Sequence, residues 1–333
     1  MKSVIKAHKI RLHPTPEQAE YFARAAGTAR FVWNWALAEW KRHYEAYQAV
    51  KEGRACAWPK EADPPKSPSA LSPKSQFTQI KREQFPWTWD VTKNASDQPF
   101  LELGQAFTNF FAGRAKYPKF KSKKRSKASF YLANDQFEIG DHRVWIPKLG
   151  WVNLAEKLRF SGKITGARVT RTADWWFISI TVEVPDPAPL PQERPAVGID
   201  VGLNRLATLS DGTGFENQKY LKTALKRLRQ ANKRLHRRKK GSRNREKARR
   251  QVARIHYKIT CLRDDLLHKL TTTVADQFAL IGIEDLNLKG LMKNRKLARS
   301  FADAALGKLK KMLEQKVPIR GGAVRKRGSL LSL

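Results

Sequence analysis

Cysteine is nearly missing from this chain. Its two residues, Cys56 and Cys261, are too few and too far apart to build a disulfide framework or, by themselves, a cysteine zinc site. Long apolar runs are missing as well: no stretch approaches the ~18 residues of a membrane span. The segment from Met1 to Lys9 lacks the apolar centre of a signal peptide. No membrane partner is expected, and the cytoplasm is the expected compartment. Acid is scarce, with thirty Asp and Glu against sixty-six Lys and Arg, a formal charge of +36 and a pI near 10.5. That imbalance calls for a polyanionic partner. What is present suffices for real cores: 41% hydrophobic and 10% aromatic residues across 333 positions, enough for two or three compact units and unlike a disordered basic tail.

The first residues, 3 to 12, roughly alternate. Val4, His8, Ile10 and Leu12 fall on one side and Lys9 and Arg11 on the other, as in an edge or barrel strand. Thr15 followed by Pro16 is a helix start, and Phe22, Ala26, Ala29, Trp33, Leu37, Trp40, Tyr44 and Tyr47 then form one long apolar seam, read as core. Trp58 to Pro73 is rich in Pro, Ser and Lys and reads as an exposed loop. A second helix is expected over about 97 to 113, burying Leu103, Phe107, Phe110 and Phe111. Residues 14 to 114 make a helical module. Aromatics and cations then alternate from Tyr117 to Arg125. Short strands follow, ending in the strand formers Trp175 to Val182 and a proline-rich link from Pro185 to Pro195. Having no partner nearby, the first strand is assigned to this small β unit, with the helical module inserted between.

The last third opens with a strand over 196 to 201, a turn at Gly202 to Asn204 and a second strand through Leu206 to Leu209. Leu221, Leu225, Leu228 and Leu235 form one seam. Ala248, Val252, Ile255, Ile259, Leu262, Leu266 and Leu270 form another, so two helices fold against each other over 219 to 275. Their outside is cationic: eighteen Lys or Arg and one acid, Glu246, between 219 and 258. A buried strand at 278 to 283 and an amphipathic helix at 298 to 316 follow. His236, His256 and His268 have no ligand spacing and are read as surface or packing residues.

Two of these strands end in a carboxylate, Asp200 and, 84 residues later, Glu284. Either acid alone can be a turn or cap residue. Together, in the order strand, strand, helices, strand with acid, helix, they follow the order of an α/β RNase H-like fold. Neighbouring strands there bring carboxylates together to hold divalent metal for phosphodiester hydrolysis. Asp200 and Glu284 are accordingly the candidate catalytic and metal-binding residues. The candidate nucleic-acid contacts are Lys119, Lys121, Lys123, Lys124 and Arg125, and, at the tip of the helical pair, Lys233, Arg234, Arg237, Arg238, Lys239 and Lys240.

Several segments together carry a family likeness. They are Ile10 to Gln18, Gly27 to Trp35, Phe107 to Phe111 running into Tyr117 to Lys121, Ile146 to Gly150, Gly198-Ile199-Asp200-Val201-Gly202 and Ile283-Glu284-Asp285-Leu286-Asn287. With these the chain resembles the TnpB/OrfB family of insertion-sequence proteins, relatives of type V CRISPR effectors, over residues 1 to about 322. The resemblance implies an RNA-guided DNA endonuclease. Its expected parts are a wedge-like β-barrel (1–13 and 115–190), an inserted helical recognition module (14–114) and a RuvC-like nuclease domain (195–316). Guide RNA and target DNA are the implied partners, Mg²⁺ the implied cofactor, and the nucleoid of a prokaryotic cell the implied place of work. Base pairing would read the target while the protein grips backbones.

The family pattern continues with a further strand, a four-cysteine zinc ribbon and a last helix carrying a third catalytic aspartate. Residues 317 to 333 hold no Cys, Asp or Glu. Arg320 to Val324 reads as the start of that further strand and Arg325 to Leu333 as an aberrant tail, so an incomplete nuclease domain is expected, without zinc. A premature stop or frameshift near Val324 is the simplest origin and a fragment of a longer chain the other. Asp285, Asp303 and Glu314 are poor substitutes for the third acid. The expected outcome is RNA-guided DNA binding with crippled cleavage. Full endonuclease activity, or a decayed mobile-element product without activity, are the competing outcomes.

Overall fold

The structure, a computed structural model, describes residues 3–54, 72–186, 190–191 and 193–327. Most of the expected 58–73 loop, Cys56 and the last six residues lie outside them. The chain divides into two compact units, Ser3–Pro185 and the part from Asp186 onward.

In the first unit β1 (Ser3–His13) leads into α1 (Pro16–Lys51). Thr15 caps this helix in a reciprocal box with Gln18: the hydroxyl accepts from the Gln18 N–H at 3.3 Å and the Gln18 side chain accepts from the Thr15 N–H at 3.1 Å. Next come α2 (Ser72–Gln84), a 3-10 turn (Pro86–Asp90) and α3 (Asn94–Phe111). Helix α2 thus starts inside the stretch read from sequence as loop, because Ser72 and Pro73 only begin the helix while Phe77 is buried in a core. The strands are β2 (Ser129–Ala133), β3 (Glu138–Ile139), β4 (Arg143–Ile146), β5 (Gly150–Leu154), β6 (Lys163–Thr172) and β7 (Trp175–Pro185). All pairings are antiparallel, in the order β2-β6-β7-β1-β5-β4-β3. Strand β1 lies between β7 and β5, with Ile10 opposite Ile178 and Leu12 opposite Leu154.

Helix α1 belongs to two cores. Its first turns bury Tyr21, Phe22, Ala25 and Ala26 against the sheet, and its later turns bury Val32, Trp33, Leu37 and Trp40 against Phe77 of α2 and Phe100, Leu103 and Phe107 of α3. The apolar seam read from sequence is therefore core up to Trp40, whereas Tyr44 is 41% exposed.

The second unit contains β8 (Ala196–Asp200), β9 (Arg205–Leu209), β10 (Gly214–Glu216), α4 (Tyr220–His236), α5 (Arg243–Gln277) and β11 (Leu280–Glu284). It continues with α6 (Leu288–Leu291), α7 (Ala298–Ala304), α8 (Leu306–Ile319) and β12 (Ala323–Arg327). The sheet order is β10-β9-β8-β11-β12, antiparallel from β10 to β8 and parallel from β8 to β12. Helices α5 and α8 pack Leu267, Leu270, Val274, Leu309, Leu313 and Val317 onto one sheet face. Nearer the start of α5, Ile255 and Ile259 turn instead to Leu228 and Ala231 of α4.

Two expectations change here. The helix expected over 298–316 breaks at Ala305, whose left-handed φ of 54° separates α7 from α8. The tail expected from Arg325 instead continues as β12 to Arg327, in parallel register with β11. Its cations do not prevent this, because a ladder is made by backbone groups, Val324 packs on the core and Lys326 meets Glu314 of α8 at 2.8 Å.

Candidate active site and nucleic-acid interface

In β8 the residues Val197 and Ile199 are buried, and in β11 so are Ile281 and Ile283, which leaves Asp200 and Glu284 on the face away from the core. The parallel register matches Gly198 with Gly282 and Ile199 with Ile283. One residue farther along each strand stand the two acids, on neighbouring strands whose backbones run about 4.8 Å apart. The structure thus brings Asp200 and Glu284 together at the end of the two central strands. Asp200 is exposed and Glu284 half-exposed, and among the described residues neither carboxylate has a hydrogen-bond or ion-pair partner.

Three other acids of this unit are engaged. Asp285 pairs with Lys310, whose ammonium holds the Asp285 carboxyl below its usual range. Glu314 pairs with Lys326. Asp303, buried in α7, accepts from the N–H groups of Leu221 at 3.0 Å and Lys222 at 3.2 Å, capping the start of α4, and meets the Arg263 guanidinium at 2.8 Å. Among the described residues no group of three or more His, Cys, Asp or Glu gathers as a metal set.

The donor set fits Mg²⁺ in one respect. This ion is commonly held by one or two carboxylates, with water and substrate phosphate completing six oxygen ligands. Two unpartnered carboxylates on an open face supply that share. Sequence reading missed two companions on this face. Thr208 lies opposite Asp200 in the β8–β9 register, and Arg325, exposed, lies beside Gly282 in the β11–β12 register. Strand alternation around Ala207 and Val324 was the signal for both.

The expected nucleic-acid contacts fall into two groups, one in each unit. Lys233, Arg234, Arg237, Arg238, Lys239 and Lys240 are all exposed, at the end of α4 and in the turn before α5. The turn is built: Ser242 caps α5 by accepting from the Arg245 N–H at 3.2 Å, and the Arg245 guanidinium donates to the carbonyls of Leu235 and Arg238. In the first unit Lys119, Lys123, Lys124 and Arg125 are exposed. Lys121 is different: it is half-buried, its ammonium 3.6 Å from the centre of the Trp33 ring and 3.5 Å from Glu102. Burial pushes its pKa down, against the pull of Glu102. The structure places Lys121 as an anchor of the loop more than as an outward hand.

Residues 179–295, which include both acids, match a family model described as "Probable transposase", and residues 1–49 match one described as "Helix-turn-helix domain". A relative from Streptomyces pristinaespiralis, bearing the name RNA-guided DNA endonuclease, is 36% identical over 321 residues, covering 95% of this chain and 75% of its own. The chain belongs to the TnpB/OrfB family. A second member, InsQ of Escherichia coli, with the same descriptive name, is 30% identical over 336 residues, covering 96% of this chain and 79% of its own. Among solved structures, a Cas12f1–sgRNA–target DNA complex matches with a TM-score of 0.54 at 15% identity, covering 94% of this chain and 74% of that one. The fold is therefore of the TnpB/Cas12 kind. The stretch matched as helix-turn-helix consists here of β1 and the unbroken first 34 residues of α1, so the TnpB/OrfB likeness over it does not rest on two helices joined by a turn.

Proposed function

We propose that this chain is an RNA-guided DNA-binding protein of a mobile element, with a RuvC-like second unit and a wedge-like first unit carrying the helical recognition elements. The observation that carries the reading is the Asp200–Glu284 pair, side by side on an open sheet face and unpartnered in a chain of charge +36. Three other acids of the same unit, Asp285, Asp303 and Glu314, each meet cations. A pair kept free of them suits a divalent cation. Asp200 and Glu284 would hold that ion, which when bound supplies charge stabilisation for phosphodiester hydrolysis. The names of the two relatives, and the sheet order with its parallel centre, support the same reading.

In this reading the cationic hairpin and the 119–125 loop grip backbones and base pairing to a bound RNA selects the target. Two carboxylates leave a metal and its water less constrained than a fuller anionic set would, and misplacement of a nucleophile by about 1 Å costs about a hundredfold in rate. Target binding by the 333-residue polypeptide is therefore expected to outlast its cleavage. The test co-expresses the chain with its flanking genomic DNA, sequences the RNA that copurifies, and offers matching and mismatched DNA with Mg²⁺. Discrete RNA, selective retention of matching DNA and slow cutting are expected. Rapid cutting would overturn the slow-cleavage part, and absence of any discrete RNA would overturn the guided reading.

A further inference from the structure

The end of α3 and the loop after it carry aromatic rings that no core absorbs. Phe107 is buried and stacks on Trp40 with ring centres 3.9 Å apart. Rings continue outward from that anchored pair. Phe111 lies nearly parallel to Phe107 at 6.2 Å, and Tyr117 meets Phe107 and Phe110 edge-on at 5.7 and 5.2 Å. At the outer rim Phe111 is 70% and Phe120 54% exposed, while phenylalanines within the cores, such as Phe22 and Phe100, are at 0 and 1%. Grouped exposed rings of this kind mark an interaction surface.

The rim is also held still. The Trp33 indole N–H donates to the Lys119 carbonyl at 3.0 Å, and the Asn34 amide both donates to the Lys121 carbonyl at 2.8 Å and accepts from the Lys121 N–H at 2.7 Å. Phe120 sits between these clamped neighbours, so little ordering entropy remains to be lost on binding.

The surrounding charge selects the occupant. Between Glu102 and Asp135 there are eight Lys or Arg and no acid. Lys41 of α1 lies over the Tyr117 and Phe120 rings at 5.6 and 5.1 Å, and Glu45 of the same helix is the acid that Tyr117 feels. Lys123, Lys124 and Arg125 stand out from a turn closed by the Ser126 N–H to the Ser122 carbonyl. A second copy of the chain would bring two such cationic rims together, which like charge opposes. Flat rings beside cations instead match sites that stack bases and neutralise phosphates. We propose that Phe111, Tyr117 and Phe120 form a stacking platform for unpaired nucleotides, with Lys123, Lys124 and Arg125 on the phosphates of the same strand. The inference rests on the nucleic-acid reading above and adds to it the class of strand, single rather than paired.

The experiment measures binding of the 333-residue chain to a labelled oligouridylate and to an RNA duplex, each about 20 nucleotides long, across a range of salt. F111S/F120S should lose about tenfold or more on the single strand at unchanged salt slope and less than about twofold on the duplex. F111W/F120W should restore binding. K123S/K124S/R125S should flatten the single-strand salt slope by about 2. Both rings are exposed, so thermal melting should match wild type and separate loss of site from loss of fold. Equal losses on single strand and duplex, or no loss, would overturn the platform. Sedimentation showing a wild-type dimer that F111S/F120S breaks would assign the rim to a second copy instead. Wild type that binds neither probe would sink the broader nucleic-acid reading, whereas wild type that binds and a ring variant that binds equally would sink only this inference.

Discussion

Asp200 and Asp303 show how the same side chain serves opposite ends. Asp303 is buried and gives its oxygens to two backbone N–H groups and one guanidinium. Replacing it with alanine removes the cap of α4 and leaves Arg263, itself only 20% exposed, without its partner. D303A should cost about 3 kcal/mol, read as a lowered urea midpoint at unchanged slope. Asp200 and Glu284 give up no such bonds. D200N and E284Q should therefore unfold at the wild-type midpoint when divalent ions are removed, since each change deletes a like-charged neighbour and breaks no contact. The difference should emerge on adding Mg²⁺: a ligand of the native state raises the melting temperature of wild type, and both amide variants should lose most of that gain. Retention of the full Mg²⁺ effect in both would place the ion elsewhere.

Tyr21 ties elements together at a scale above the residue. From α1 its hydroxyl donates to the Pro147 carbonyl at 2.8 Å and accepts from the Thr92 N–H at 2.9 Å, joining helix, the approach to α3 and the β4–β5 turn. Burial pushes the phenol up from 10.0 to about 12. A raised folded-state value means stability is complete below pH 10, where the unfolded phenol is still protonated, and is lost as pH rises toward about 12. The loss over that interval is about 2–3 kcal/mol. Y21F starts less stable, for Thr92 loses its acceptor, but its stability should fall less between pH 10 and 12 than that of wild type. Parallel urea titrations of the two proteins isolate Tyr21 from the lysines and other tyrosines, which titrate in both. The elements that could be read in the sequence are those whose signal is local and repeated. The Thr15 cap of α1 and the three-and-four spacing of the α5 seam are spelled out locally, and the strands of Asp200 and Glu284 are short apolar segments each ending in an acid. What escaped depends on distant partners. Nothing near Ala305 announces a left-handed break, which becomes useful only because Asp303 reaches α4. Lys326 reads as tail until Glu314 of α8 is beside it, and Lys121 reads as a phosphate hand until Trp33 and Glu102 enclose it. The two acids were legible as the ends of apolar segments, whereas the adjacency of their strands, and the place of Thr208 and Arg325 beside them, at which alternation around Ala207 and Val324 only hinted, come from the sheet order and register.

At the scale of the whole molecule the governing quantity is a formal charge of +36. Self-repulsion of that size works against the compact state, and a polyanion that condenses onto the surface relieves it. No helix among the described residues is long and apolar enough to cross a membrane. Binding driven by counterion release has a signature that binding driven by ring stacking or base pairing lacks: the logarithm of affinity falls in proportion to the logarithm of salt, with a slope of about 0.7 per contacted phosphate on single strands and about 0.9 on duplex DNA. Between 237 and 240 four cations, Arg237, Arg238, Lys239 and Lys240, stand exposed on a turn whose backbone is held by Ser242 and Arg245, not by the four themselves. Changing all four to serine should therefore leave thermal stability in place while reducing the magnitude of the salt slope by about 3 if each neutralises one phosphate. Affinity should then converge with wild type as salt rises, because the lost contacts are those that salt already displaces. A variant that binds more weakly at every salt concentration with an unchanged slope would show that the hairpin tip acts through shape or packing, and that the phosphates are gripped by other cations of the chain.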